Sequence, residues 1–369
     1  MPVTTIEQCE ALILPPEFTE IRLTTAQGPV YRQVSTAAPR DAVAEEVPVI
    51  DISRINDDLE IRKELAREVA ETCSRYGFFY IRNHGIPEDK INAAKEQAFN
   101  FFRQPKELKE KVSQQHSKYS NGWSSLRSRR VSPTESADKK EGFIWSYDPE
   151  YDPDTKDVDQ VPAPVANALH AEKFIWDGTS HLPDFRDAIL SYWQECVTLS
   201  RKLVRTFALA LDLPESYFDD LVTYPGSDGA INFYPGVEPG SNPGATLDVG
   251  LGSHTDLQCF TLLWQDEVGG LQLLSQSGQW LKVPPISGTL VVNIGDFLMR
   301  LTNDRFISTV HRVYNYSIVD RLSMPFFFGF NFNENVEVLP SCIDETHPAK
   351  YEPISCGAWC KRRLAMVKL

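Results

Sequence analysis

The stretch GLGSHTDLQCFTLLWQD, residues 250–266, decides how this chain is read. It alternates like a strand, yet it carries an imidazole and a carboxylate one residue apart, His254 and Asp256. Neither group gains by burial unless something satisfies it. Residues two apart on a strand share a face, so the spacing predicts that both side chains project into whatever that face encloses. A second histidine, His311, follows after 54 intervening residues in the strand-like run STVHRVYN. Two neutral imidazoles and one carboxylate make the set that holds one triangular face of an octahedral metal and leaves three positions open, which suits non-haem Fe(II) and oxygen chemistry. The H-x-D pair alone is also the pattern of a hydrogen-bonded core histidine beside a turn aspartate.

Outward from this stretch, the chain after residue 228 consists of short β-branched and aromatic runs, AINFYP, CFTLLW, GLQLLS, TLVVNIGD, TVHRVYNY and RLSMPFFFGFNF, separated by Gly, Asn, Asp and Pro. Many short strands at close spacing predict a sandwich or barrel. Before residue 228 the pattern is helical. Ile61, Leu65, Val69 and Cys73 recur every four positions and predict an amphipathic helix ending near Gly77. VPVIDIS (47–53) and GFFYIRNHGIP (77–87) read as strands, and EDKINAAKEQAFNFFRQP as a helix stopped by Pro105. From Asp184 to Leu211 one stripe of Phe185, Ile189, Tyr192, Cys196, Leu199, Leu203 and Phe207 predicts a long helix supporting a sheet. Residues 113–183 are polar and irregular and read as lid loops. The fold class is therefore α+β, a jelly-roll core with a helical N-terminal region. The expected organisation is an extension over 1–45, an N-terminal region with lid loops over 46–183, the supporting helix and jelly roll over 184–335, and a C-terminal segment over 336–369, all forming one catalytic domain.

Charge narrows the function. Lys+Arg 37 against Asp+Glu 51 leaves a formal charge of −14, a field that repels phosphate backbones and anionic lipid, so neither nucleic acid nor membrane is expected as a partner. No basic start leads into a long apolar run, which makes a cytoplasmic location the expectation. Oligomeric state is not legible. The seven cysteines lie scattered, and the one close pair, Cys356 and Cys360 with His347 upstream, falls outside the usual zinc spacings. No G-x-G-x-x-G or Walker loop occurs.

Ten residues past His311 comes DRLSMPFF, where Arg321 and Ser323 share a strand face. A guanidinium in an apolar strand needs a partner, and a carboxylate is its best bidentate mate. That mate is either a bound dicarboxylate or a protein acid such as Asp296 or Asp304. Upstream, INFYPGVEPG puts Asn232 and Tyr234 on one face, an amide and a phenol able to reach a ligand.

The ordered series VPVIDIS, SRYGFFYIRNHGIP, INFYP, HTD, GGLQLL, NIGD, STVHRV and RLS resembles the Fe(II)/2-oxoglutarate-dependent dioxygenases of the isopenicillin N synthase-like family, over roughly residues 46–335. The resemblance implies a double-stranded β-helix with iron at its open end. It implies catalytic roles for His254, Asp256, His311 and Arg321, with His254, Asp256 and His311 as the metal ligands. Arg321 and Ser323 would hold the distal carboxylate of the cosubstrate 2-oxoglutarate, assisted by Tyr234 and Asn232. Fe(II), 2-oxoglutarate and O2 are the implied cofactors. The implied reaction oxidises an unactivated C–H bond of a small molecule of natural-product type, by hydroxylation or a related radical outcome, with release of succinate and CO2. Asp256, standing where a halogenase would have Gly or Ala, disfavours halogenation.

Parity extends the site to Ala230, which shares a face with Asn232 and Tyr234, and to Phe327, which shares one with Arg321 and Ser323. Tyr119, Leu126, Arg127, Arg129, Phe143 and Trp145 are the lid candidates for substrate contact. Cys259 has the opposite parity to the metal pair and should point away. Three rival readings stay open: an iron oxidase of the same fold that does not use 2-oxoglutarate, a barrel that only binds, and a zinc hydrolase.

Overall fold

A computed structural model describes residues 17–25, 28–238 and 248–367, and every structural statement concerns these. Expectations for residues 1–16, Cys9 among them, lie outside the described residues. Two sheets form the core. The larger runs, in spatial order, Val49–Asp51, Phe78–Arg82, Thr289–Ile294, Phe260–Gln265, Arg321–Phe328, Asp228–Tyr234, Glu141–Ser146 and Gly122–Ser124. The smaller runs Arg40–Asp41, Trp280–Lys282, Leu271–Leu274, His311–Val313 and Leu251–His254. This is the α+β jelly-roll arrangement, with both sheets open at their edges rather than closed into a barrel.

Helices cover the outer face of the large sheet. Helix Leu59–Arg75 starts where Asp58 accepts from the Glu60 and Ile61 amides over 3.1 and 3.2 Å, satisfying two of the donors a helix start leaves free. Helix Phe185–Ala210 buries the predicted stripe and packs on the large sheet, with Trp193 edge-on to Phe326 at 6.3 Å. Phe102, from helix Glu88–Phe102, stacks on Phe233 at 5.2 Å. Each such side chain taken out of water contributes about 1.5–3 kcal/mol. Odd positions of the 228–234 strand therefore face helices. Its even positions, Asp228, Ala230, Asn232 and Tyr234, face the interior between the sheets.

The region 113–183 differs from the expected run of loops. Glu141–Ser146 is a strand paired antiparallel with Asp228–Tyr234, from Glu141↔Phe233 to Ser146↔Asp228. Its neighbours cover both of its faces, so it lacks the apolar/polar alternation that marks a half-exposed strand. The N-terminal extension also holds structure: Phe18–Thr25 and Gly28–Ser35 form a hairpin whose Ile21, Leu23 and Val34 bury against Leu274, Trp280 and Val310.

The chain's last helix, Cys356–Val367, closes one end of the core. Trp359 donates its indole N–H to the Leu257 carbonyl over 2.7 Å, and Arg363 reaches the Thr24 carbonyl over 2.5 Å and Asp296 over 2.7 Å. Among the described residues no helix is long and apolar enough to cross a membrane.

Candidate active site

Register builds the site. His311 and His254 are direct cross-strand partners in the small sheet, and their rings lie 4.2 Å apart. Each ring is fixed through Nδ1, His254 on the Gly252 carbonyl at 2.7 Å and His311 on the Thr309 carbonyl at 3.1 Å. With the proton held at Nδ1, the Nε2 lone pairs face inward as metal donors. Asp256 arrives differently from the expected strand neighbour. The strand ends at His254, and a turn carries Asp256 in, held by a backbone bond from the Asp296 amide to its carbonyl at 2.8 Å. A Cβ at Gly295 would stand 2.2 Å from the Gln258 carbonyl oxygen, so only glycine lets this turn close.

Asp256 Oδ2 is occupied: Thr261 donates its hydroxyl to it over 2.5 Å and Asn293 its amide over 2.7 Å. Oδ1 is left facing the imidazoles, 3.7 Å from His254 Nε2 and 3.8 Å from His311 Nε2. The three donor atoms lie within 4.8 Å of one another. Burial, and then the neighbouring His311, lower the His254 pKa to about 4, so that ring is neutral and ready to coordinate at neutral pH. Burial acts against ionising Asp256, but the two imidazoles, Asn293 and Thr261 hold its carboxyl below the usual range. A largely buried set of two imidazole nitrogens and one carboxylate oxygen, each oriented by a second hydrogen bond, fits a divalent transition metal.

Deeper in the same interior lies Arg321, wholly buried. Its Nη1 donates to Ser323 over 3.3 Å and its Nη2 to the Gln265 side-chain carbonyl over 3.2 Å, while the guanidinium lies 4.8 Å from the centre of the Tyr234 ring. Its Nε has no partner. Among the described residues no carboxylate pairs with it: Asp296 is taken by Arg363, and Asp304 by Lys350 and Tyr351. A buried cation with an unused donor is costly as it stands, and a carboxylate would satisfy it. At Gly270 (φ +102°) a Cβ would collide with the Tyr314 carbonyl oxygen at 1.9 Å, so this approach beside Arg321 also requires glycine.

The other expected positions divide. Asn232 lies opposite Ser323 and Tyr234 opposite Arg321 across the same strand pair. Phe327, half-buried, lies opposite Thr261 and Asp228 and so faces the metal set, and Ala230 lines the same interior. Phe143 and Trp145 are a correction. They point to the outer face, where Phe143 meets Phe101 and Phe185 at 4.9 and 5.4 Å and Trp145 meets Trp176 at 6.1 Å, so both are core under the helices. The interior neighbours are one residue off: Lys140, Gly142, Ile144 and Ser146. Strand parity anchored on Gly142↔Asn232 would have found them, but nothing local in EGFIWS announces that pairing. Arg127 is engaged by Asp248 at the surface. Tyr119 is exposed and stacks on His170 at 4.4 Å, and Leu126 is exposed. Arg129 donates to Gln114 over 2.5 Å. Cys259 is buried in the helix-side core.

Comparison with known proteins agrees with this geometry. Residues 47–164 match the model for the N-terminal region of non-haem dioxygenases in morphine synthesis, and residues 227–330 the model of the 2OG-Fe(II) oxygenase superfamily. A 2-oxoglutarate-Fe(II) type oxidoreductase, ppzC, of Metarhizium rileyi is 45% identical over 354 residues, 95% of each chain. The oxidoreductase hxnY of Emericella nidulans, of the same described type, is 34% identical over 313 residues, 84% of this chain and 86% of that one. Among solved structures, a full-length Neurospora crassa protein in complex with alpha-KG superposes with a TM-score of 0.70 at 28% identity, covering 86% of this chain and 96% of that one.

Proposed function

Because the chain belongs to the 2OG-Fe(II) oxygenase superfamily, an enzyme family using Fe(II), 2-oxoglutarate and O2, we propose that it oxidises an unactivated C–H bond of a small molecule of natural-product type, releasing succinate and CO2. In this reading His254, Asp256 and His311 hold the iron. Arg321, Ser323 and Tyr234 hold the distal carboxylate of 2-oxoglutarate, with Asn232 beside them. The observation that carries it is the pairing of an inward His/Asp/His set with a buried Arg321 that has an unused Nε and, among the described residues, no carboxylate at ion-pair distance, in one interior.

The chain's own residues have defined tasks. Thr261 and Asn293 keep Asp256 ionised and aimed by occupying Oδ2. The Gly252 and Thr309 carbonyls hold the imidazole protons away from the metal side. Arg321 sets the depth and direction of the cosubstrate by a charge-assisted contact, and the phenyl of Phe327 and the alkyl of Ile144 keep the reacting space apolar and short of water. When bound, the iron, 2-oxoglutarate and O2 supply an oxidant strong enough to take hydrogen from carbon, coupled to decarboxylation of the cosubstrate. The N-terminal region, the supporting helix and jelly roll, and the C-terminal segment 336–369 act together as one catalytic unit.

Anaerobic reconstitution with Fe(II), followed by 2-oxoglutarate and air, tests the reading. Succinate should form in step with O2 uptake, slowly without substrate and faster with it. Iron-dependent O2 uptake with no succinate would instead identify an oxidase that draws its electrons elsewhere.

A further inference from the structure

One cation in this interior has no role in the chemistry above. Lys140 precedes the strand Glu141–Ser146 on its inward-facing parity, and its ammonium donates to Asn232 Oδ1 over 2.5 Å, between the Arg321 end and the metal set. Gly142 makes the room: a Cβ there would stand 3.6 Å from Lys140 Nζ and 2.9 Å from Ser124 Oγ. Among the described residues no carboxylate forms an ion pair with Lys140. Asp138 is the acid that acts on it at longer range, and Asp138 is itself committed to the Gly252 amide at 3.1 Å.

The surroundings of the ammonium say what it lacks: its hydrogen-bond acceptor is the neutral amide of Asn232, and no carboxylate comes within ion-pair distance of it among the described residues. Asp138 acts electrostatically on Arg129 as well as on Lys140, so its charge is shared between two cations. Asp228 stands at the other end of its strand from Asn232, bonded to Gln258. Lys140 is a positive charge held on a neutral acceptor in a low-dielectric interior, where such a charge is expensive unless an anion joins it. Burial accordingly lowers its pKa to about 8. Lys140 is itself partly exposed, as are Ile144, Ser146, Phe327 and His254 farther along the same interior, so this interior is not closed to a ligand.

We propose that Lys140, steadied by Asn232, is the receptor for a carboxylate of the primary substrate, so that the C–H bond oxidised belongs to a carboxylic acid. The inference rests on the oxygenase reading of the same site. The same chemistry could come from the keto-acid end of 2-oxoglutarate, so the test separates the two sources.

Propionate, a minimal carboxylate, is titrated calorimetrically into protein loaded with Mn(II) and saturating 2-oxoglutarate under argon, where no turnover occurs. Propionamide serves as the neutral control. Wild-type protein should bind propionate in about the millimolar range and propionamide not at all. Lys140→Gln should weaken propionate at least about tenfold while 2-oxoglutarate affinity stays within about threefold, and Lys140→Arg should recover part of the loss. Unchanged melting temperatures show that each variant is folded. If 2-oxoglutarate displaces propionate, or if Lys140→Gln weakens 2-oxoglutarate and spares propionate, the ammonium serves the cosubstrate and the inference is overturned. Absence of propionate binding, or equal binding of the amide, overturns it as well. Failure of the oxygenase reading looks different: wild-type protein given Fe(II), 2-oxoglutarate and air would form no succinate whatever Lys140 binds.

Discussion

Asn293 donates its side-chain amide to Asp256 Oδ2 over 2.7 Å, on the side of the carboxylate turned away from the two imidazoles. The pair joins the large sheet to the turn after His254, so the ligand's aim depends on a neighbouring strand. Removing such an outer hydrogen bond typically lowers metal affinity about 10–100-fold. Asn293→Ala should therefore weaken Mn(II) binding by that amount, read by titration against a chelator of known affinity. A change under about twofold would mean that Thr261 and the Asp296 amide suffice to hold Asp256.

His311→Ala and Arg321→Ala should separate metal from cosubstrate. The first removes one of three ligands and should abolish Fe(II) retention with little loss of secondary structure by circular dichroism. The second should leave metal binding near wild type and raise the 2-oxoglutarate KM about 30- to 1,000-fold, the equivalent of losing a charge-assisted pair worth about 2–4 kcal/mol. Ordinary cosubstrate dependence in the Arg321 variant would remove that residue from the assigned role.

Phe143 and Ile144 are adjacent in sequence and face opposite sides of one strand, so their variants should fail in different ways. Phe143→Ala empties a wholly buried aromatic position and should cost about 3–5 kcal/mol of stability, visible in denaturant unfolding. Ile144→Ala should cost much less and instead raise the fraction of 2-oxoglutarate consumed without substrate oxidation. The opposite pattern would reverse the strand's faces.

Asp228 provides a pH test. Burial pushes its carboxyl up from 3.8 to about 6, although Ser146 and Gln258 bond to it. The folded state therefore binds more protons than the unfolded state between about pH 4 and 6, and stability falls as pH rises through that window. Above pH 6 the charged form persists at a cost. Asp228→Asn should flatten this slope and raise stability at pH 7 by about 1–2 kcal/mol, less than the full shift implies because the side chain is partly exposed. Equal slopes in wild type and variant would place the titration elsewhere.

The meeting of His254, Asp256 and His311 is legible in part because strand spacing is local: His254 and Asp256 are two residues apart, and His311 sits in a recognisable run. Even so, the reason Asp256 faces inward is a turn closed by Gly295 and the Asp296 amide, which two-residue parity does not describe. Arg321 stood out because a guanidinium in RLSMPFFF has few neighbours able to satisfy it. The lid contacts were harder. Phe143 and Trp145 are the conspicuous aromatics of EGFIWS, but large rings serve the core as readily as a pocket, and only the register against Asp228–Tyr234 distinguishes them from Ile144 and Ser146. Asn293 lies in the run NIGD and Thr261 only five residues after Asp256, but neither residue type announces a bond to that carboxylate, which only the folded turn and the neighbouring strand bring about.

Arg363 binds Asp296, and Asp296 in turn donates its amide to the Asp256 carbonyl. Asp296 lies within the superfamily match at residues 227–330, but Arg363 lies beyond it, on the helix Cys356–Val367. Fastened from outside in this way, the aim of Asp256 depends on a side chain that touches neither histidine, so a substitution at Arg363 reaches the site without altering any residue in it.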